Sequence, residues 1–259
     1  MLIYKKNDYE YTSDQLLLNE PLYVEGVSLY PIKSKQWHVF IEYGKYLMFN
    51  KKHLSLEDSK DLLYTILLLI IQDKAPKETT EEERSIEIKK QIDNFANMLS
   101  MVTHSTIGFN EDDFCFYNDD GMIIDSNNYD LVRQGILKIN LMKEPKVFDD
   151  PLVQKYYEKT IKARQREKGV KTLGEMMLII SQDMKCSMDI VGEYNIFQIY
   201  AYYNRILHVE EYKVISIIKC FSEKAPKISF NDSIIDNLFK EEGLEDMVMS
   251  ENDLGQMLQ

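Results

Sequence analysis

Apolar residues recur along most of this chain at steps of three and four, the period of a helix with one buried face. Ile88, Ile92, Phe95, Leu99 and Val102 form one such stripe. Leu131, Ile136 and Ile139 form a second, with Ser126 placed to cap its helix. A third helix begins at Asp150-Pro151, a capping residue followed by proline at the first helical position, and runs through Tyr156, Tyr157 and Ile161 to about Gly169. Thr172-Leu-Gly-Glu175 is a capping box that opens a short helix with Met176 to Ile180 as its apolar part. A tyrosine-rich segment follows from Tyr194 to His208, with Ile196, Ile199, Tyr200, Tyr203, Ile206 and Leu207 on one face. Val214, Ile217, Ile218 and Phe221 make a further stripe beyond the charged step at Glu210-Glu211.

Alternation at period two is confined to short stretches. Leu22 to Val24 and Val27 to Tyr30 flank Glu25-Gly26, the pattern of a hairpin with a two-residue turn. Phe114 to Tyr117 and Met122 to Asp125 flank Asn118-Asp-Asp-Gly121, the pattern of a second hairpin. Pro31 ends the first hairpin, and Ser34 offers an N-cap for a helix carrying Trp37, Phe40, Ile41 and Tyr43 that Gly44 interrupts or ends. Ser55 and Asp58 form a loose capping pair ahead of Leu62 to Ile71. That run is apolar nearly all round, so it is expected at the centre, covered on most sides. Lys74 to Arg84 is charged and holds Pro76, and reads as an exposed loop at a domain boundary.

These elements predict an α+β fold, mostly α-helical: a helical bundle with two short β-hairpins. The expected organisation is an N-terminal hairpin with helices over 1–73, a charged loop over 74–85, a helical domain with one hairpin over 86–240, and an acidic, partly disordered tail over 241–259. The recurrence of Lys-Ala-Pro-Lys at 74–77 and 224–227 is too short to define a repeat.

Composition narrows the function classes. At 44% hydrophobic and 29% charged, the 259 residues have the balance of a globular protein able to bury a sizeable core. The net charge of −12 opposes wrapping around nucleic acid or resting on an anionic membrane. Cys115, Cys186 and Cys220 are odd in number and far apart, so no disulfide framework or zinc knuckle is expected, and a reducing cytoplasm suits them. The opening Met-Leu-Ile-Tyr-Lys-Lys-Asn-Asp lacks an apolar signal core. The run from Leu62 to Ile71 is about half of what a membrane helix needs.

Candidate chemistry is sparse. Glu111, Asp112, Asp113, Asp119, Asp120 and Asp125 cluster around the second hairpin, but their spacing does not match a calcium loop, and turn-forming Asp and Asn explain them. His38, His53, His104 and His208 never fall at zinc-binding helical spacing. Cys186 or Cys220 has no local signature of a nucleophile. Lys155, Lys159, Lys162, Arg164, Arg166, Lys168 and Lys171 form the one basic segment, read as a solvated helix face balanced by Glu158 and Glu167. No cofactor and no metal is expected. Seventeen tyrosines beside one tryptophan, Trp37, tilt the surface toward half-buried interface positions.

Three stretches are similar to proteins encoded in the tail gene clusters of phages of Gram-positive bacteria, tail assembly chaperones among them. They are Val27 to Trp37, a strand, a Pro-Ile step and a helix; Ser126 to Asn140, an Asn, aromatic and Asp segment leading into an amphipathic helix; and Thr172 to Met177 with Tyr194 to Arg205, which carries the Phe197-Gln198 step and the Arg205-Ile206 pair. Where those proteins place a tryptophan after the last helix, this chain has Phe230 and Phe239. The resemblance implies a non-enzymatic interaction protein of phage particle assembly, in the host cytoplasm or the virion. Its partners would be phage structural proteins, tail tube or tape measure, or else a host protein complex. Tyr200, Tyr202, Tyr203 and Arg205 are the expected partner-binding residues, with Trp37 as a further anchor, since Tyr, Trp and Arg dominate interface hot spots. The competing readings are an acidic phage protein acting on a host defence complex, and a metal-dependent nucleic-acid enzyme built on the carboxylates between Asp112 and Asp125.

Overall fold

The computed structural model describes residues 13–57, 61–74, 80–144, 146–148, 150–168 and 172–222. Its architecture is the mostly helical α+β fold that the pattern predicts, with two small antiparallel sheets set among the helices.

After helix α1 (Ser13–Leu17), strands β1 (Leu22–Val24) and β2 (Val27–Leu29) pair antiparallel, Leu22 opposite Leu29 and Val24 opposite Val27. Glu25 and Gly26 both take left-handed backbone angles, φ 47 and 79, which matches the turn to the twist of the strands. Leu22, Val24, Val27 and Leu29 all point to one buried face. Helix α2 (Trp37–Gly44) follows a 3-10 turn at Ser34–Gln36. Ser34 is not the cap the sequence suggested: its hydroxyl donates instead to the carbonyls of Val191 and Gly192, 3.1 and 3.2 Å away.

Helix α3 (Leu62–Lys74) buries Leu62, Leu63, Ile66, Leu67 and Ile70 but leaves Tyr64 and Leu68 exposed. It is therefore a core helix with an open side and is not enclosed. Asp61 serves its first turn, accepting from the Tyr64 N–H at 3.3 Å. Ser55 stands in a left-handed turn position, and Asp58 lies outside the described residues. Helix α4 (Glu81–Thr103) begins well inside the stretch expected as a loop, because Thr80 and Glu83 form a capping box. Of 74–85, Lys74 ends α3 and 81–85 are helical, while 75–79 lie outside the described residues.

Phe95, Ala96, Met98, Leu99 and Val102 line the buried face of α4, which packs against α2, α3 and β2. It also meets β3 (Gly108–Asn110), the first strand of a sheet completed by β4 (Cys115–Tyr117) and β5 (Ile123–Ile124). The expected second hairpin is thus β4-β5 with a third strand added. Phe116 lies across from both Phe109 and Ile124. Three residues of β3 were too short a run to show alternation.

Helix α5 (Tyr129–Ile139) lies against α3 and the β1-β2 hairpin. Gly135 permits that approach, since a Cβ there would stand 2.7 Å from Leu29 Cδ1 and 3.0 Å from Val24 Cγ2. The turn before α5 is built by Asp125, whose Oδ1 accepts from the Asn127 and Asn128 N–H groups, so Ser126 does not cap it. Arg133 is buried on α5: its guanidinium donates to the Leu47 carbonyl at 2.6 Å and to Asp130 at 2.7 Å, and pairs with Glu144. Asn140 accepts from the Ile32 N–H at 2.9 Å. Phe40, Leu63, Phe95, Phe116 and Ile136 belong to one cluster, so the segments before and after the charged stretch share a single core.

Helix α6 (Pro151–Lys168) starts at the predicted Asp150-Pro151, with Asp150 Oδ1 accepting from the Leu152 N–H at 2.7 Å. Helices α7 (Leu173–Met184), α8 (Met188–Gly192) and α9 (Ile196–Lys219) then form a second, smaller cluster from Met176, Ile180, Val191, Ile199 and Tyr203. The two predicted stripes of the tyrosine-rich segment and its successor fall on one continuous helix, α9, except that Phe221 lies two residues past its end. Among the described residues no helix is long and apolar enough to cross a membrane. The tail expected over 241–259 lies outside the described residues.

Candidate functional site

The start of α9 is fixed by a polar hub. Asn195 caps the helix, accepting from the Gln198 N–H at 2.7 Å, while Gln198 Oε1 accepts from the Asn195 N–H at 2.9 Å. Asn195 is fully buried and spends its amide on the first helix, donating to the Leu16 carbonyl at 2.7 Å and to Asn19 Oδ1 at 2.6 Å. Gln198 Nε2 donates to the Leu17 carbonyl at 2.6 Å. The Ser34 N–H donates to the Tyr194 carbonyl at 2.7 Å. Glu193 pairs with both Lys33 and Lys35, whose hydrogen bonds hold its carboxyl down to about 2. Below this hub, Phe197 and Ala201 join the main core.

On that frame stands an exposed aromatic corner. The rings of Tyr194 and Tyr202 stack with centroids 5.3 Å apart and planes 16° from parallel. The Tyr194 hydroxyl reaches Met184 Sδ at 3.9 Å. Burial, then the neighbouring Tyr202 and Cys186, push the Tyr194 phenol upward. Tyr202 is 40% exposed, and Met184, Met188 and Ile190 are exposed at the end of α7 and along α8. Arg205, exposed, follows Tyr202 by three residues and so shares its side of the helix.

The expected partner-binding residues are divided by the fold. Tyr202 and Arg205 face outward at this corner. Tyr203 is buried between α9 and α7 in the second cluster. Tyr200 is partly exposed on another flank of α9. Trp37 is half-buried at the start of α2, its ring centroid 5.5 Å from that of Phe40, and packs against the main core. Sequence reasoning passed over Tyr194 and Met184 as site residues. Their signal is faint, because both sit at helix junctions where periodicity stops.

Other chemistry is committed to structure. Among the described residues no group of three or more His, Cys, Asp and Glu is arranged to hold a metal ion. In the acidic turns, Asn110 donates to Asp113 at 2.8 Å and Asn118 Oδ1 accepts from the Asp120 and Met122 N–H groups. The His104 ring stacks on Tyr30 at 4.1 Å, and burial followed by Lys33 lowers its pKa. Burial, with Asp113 and Asp125, pushes the Cys115 thiol up and away from nucleophilic use. An open hollow of about 500 Å³ is lined by Lys45, Tyr46, Met48, Phe49, Leu69 and Asp73, where Asp73 accepts from both Tyr46 and Lys45. Lys155 and Lys159 are exposed on α6; the other side chains of the basic segment lie outside those described.

No family model matches this chain, and no curated protein or solved structure matches it.

Proposed function

We propose that this protein is a non-catalytic binding protein of phage tail assembly that receives an apolar segment of another structural protein, tail tube or tape measure, at the corner formed by α7, α8 and α9. The observation that carries the reading is the Tyr194–Tyr202 stack beside Met184, with Arg205 on the same side of α9. Rigid tyrosine rings offer contact area at low entropic cost. Methionine adapts to irregular apolar shapes. Arg205 adds a cation that recognises carboxylates and carbonyls of an incoming chain. The hub at Asn195 keeps the platform fixed, so binding loses little order. The phage context rests on the resemblance of Val27 to Trp37, Ser126 to Asn140 and Tyr194 to Arg205 to tail-cluster proteins. The acidic surface keeps such a protein in solution in the host cytoplasm while it holds an aggregation-prone partner.

Tagged protein recovered from phage-infected cells should bring down tail tube or tape-measure protein. A chain with Tyr202→Ala and Arg205→Ala should lose that partner while keeping its circular dichroism and melting temperature. Recovery of a host complex or of nucleic acid in place of phage structural proteins, or a partner retained by the double variant, sinks the proposal.

A further inference from the structure

The hollow between the 3-10 turn Lys45–Met48 and α3 shares no residue with the aromatic corner. Its volume of about 500 Å³ is in the range of small-ligand sites. Met48, Phe49 and Leu69 give it apolar and aromatic surface, and Lys45, Tyr46 and Asp73 give it polar groups. Asp73 Oδ2 accepts from the Tyr46 hydroxyl and from Lys45 Nζ, the latter at 3.1 Å. The same Nζ stands 4.7 Å from the centre of the Tyr46 ring. One ammonium thus meets a carboxylate and an aromatic face together, the two groups that recognise an organic cation.

Two of these groups are fixed and one is replaceable. Tyr46 is buried and spends its hydroxyl on Asp73, which holds the carboxylate in place. The Tyr46 hydrogen bond first, then Lys45, keep the Asp73 carboxyl below its ordinary range, so the anion persists at neutral pH. Burial first, then Asp73, push the Tyr46 phenol up, so it stays a donor. Lys74, the next cation along α3, is taken by Glu42 at 2.7 Å. The Lys45 side chain is 48% exposed on a flexible stem, and an ion pair so exposed contributes little.

We infer that the hollow binds a primary amine carried on an aromatic body. Its ammonium takes the place of Lys45 against Asp73 and the Tyr46 ring, and its own ring lies on Met48, Phe49 and Leu69. The Lys45 ammonium marks the position that the ligand's nitrogen occupies. Charge selects a cation over an anion. Among the lining residues Lys45 is the one cation, and Asp73 beside it repels an anion. The chain's −12 charge draws organic cations toward its surface.

The test is a titration of the full chain with 2-phenylethylamine, followed by amide chemical shifts. Saturable shifts should gather at Tyr46, Phe49, Leu69 and Asp73. Phenylacetate, of similar shape and opposite charge, should produce none there. Asp73→Asn should weaken amine binding about tenfold or more, the loss of a charge-assisted hydrogen bond. Lys45→Ala should tighten it about threefold, because a weak internal competitor is removed. Both positions are half exposed, so each variant should keep the dispersed spectrum of the folded chain. No saturable shift at the hollow in the wild-type chain, an affinity indifferent to Asp73→Asn, or phenylacetate binding there as well as the amine would each overturn the inference. The Tyr202→Ala, Arg205→Ala chain should bind the amine as the wild type does, which separates this hollow from the partner site.

Discussion

The two hydrophobic clusters differ in how they treat their apolar residues. In the main core, the stripes of α2, α3, α4 and α5 each meet a neighbour, and even its polar members are satisfied: Arg133 by Asp130, Glu144 and the Leu47 carbonyl, Asn140 by the Ile32 N–H. Among the described residues the Tyr129 hydroxyl and His53 Nδ1 are exceptions, buried with no hydrogen-bond partner. In the second cluster, α7 and α8 cover only part of α9. Ile199 and Tyr203 are enclosed, while Tyr202, Leu207, Val214, Ile217 and Phe221 are left at the surface. Where apolar side chains outnumber the neighbours that cover them, the surplus faces solvent. Under the proposed function the main core is scaffold and the α7–α9 layer the working surface.

That contrast can be broken most severely at the joint. Phe197 is fully buried and belongs to the main core although it stands on α9. Phe197→Ala should cost about 3–5 kcal/mol, measured by urea denaturation, and should destabilise both regions together. An equal loss confined to α7–α9 would mean that the joint is not shared. Asn195→Ala is the next in size. It removes a helix cap and the shorter of two hydrogen bonds to the Leu16 carbonyl, which keeps only the Asn19 N–H at 3.3 Å, at about 2 kcal/mol. Hydrogen exchange should then accelerate in α7–α9 while the amides of α4 keep their protection. Uniform acceleration would show that the two clusters unfold as one.

The smallest effect is expected from Glu193, whose carboxyl titrates at about 2 in the fold against an ordinary 4.5. A depressed carboxylate stabilises the folded state fully above the ordinary value. That contribution fades as pH falls from 4.5 through 2. Protection of the amides in α8 should decline over this window, and Glu193→Gln should abolish that part of the pH dependence. A decline that persists unchanged in the variant would assign it to other carboxylates.

Much of the fold could be read from local pattern. The capping box at Thr172, the Asp150-Pro151 start, the Glu25-Gly26 turn and the stripe through Phe95 and Leu99 were legible because each is decided by residues within one turn of one another. Errors fell where a side chain served a distant partner and where a competing local cap was overlooked. Ser34 has the chemistry of a cap and is used by α8, far along the chain. Ser126 was displaced by Asp125, one residue earlier. Thr80 started a helix in what composition alone marked as a loop.

The candidate site was legible only in part. Its helix and its aromatic richness stand in the sequence, but exposure does not. Tyr200, Tyr202 and Tyr203 are chemically alike and separated by at most three positions, yet one is enclosed by α7, one stacks on Tyr194 and one looks outward from another flank.

Periodicity, caps and turns thus determined which segments became helices and strands, because those choices depend on neighbours in sequence. Charge and composition determined that the chain carries an acidic surface over a substantial core. Only the tertiary structure decided which apolar faces were covered, because burial depends on where other segments come to lie. It placed Arg133 inside, made Asn195 the hub between α1 and α9, and left Leu207, Val214 and Ile217 of α9 exposed.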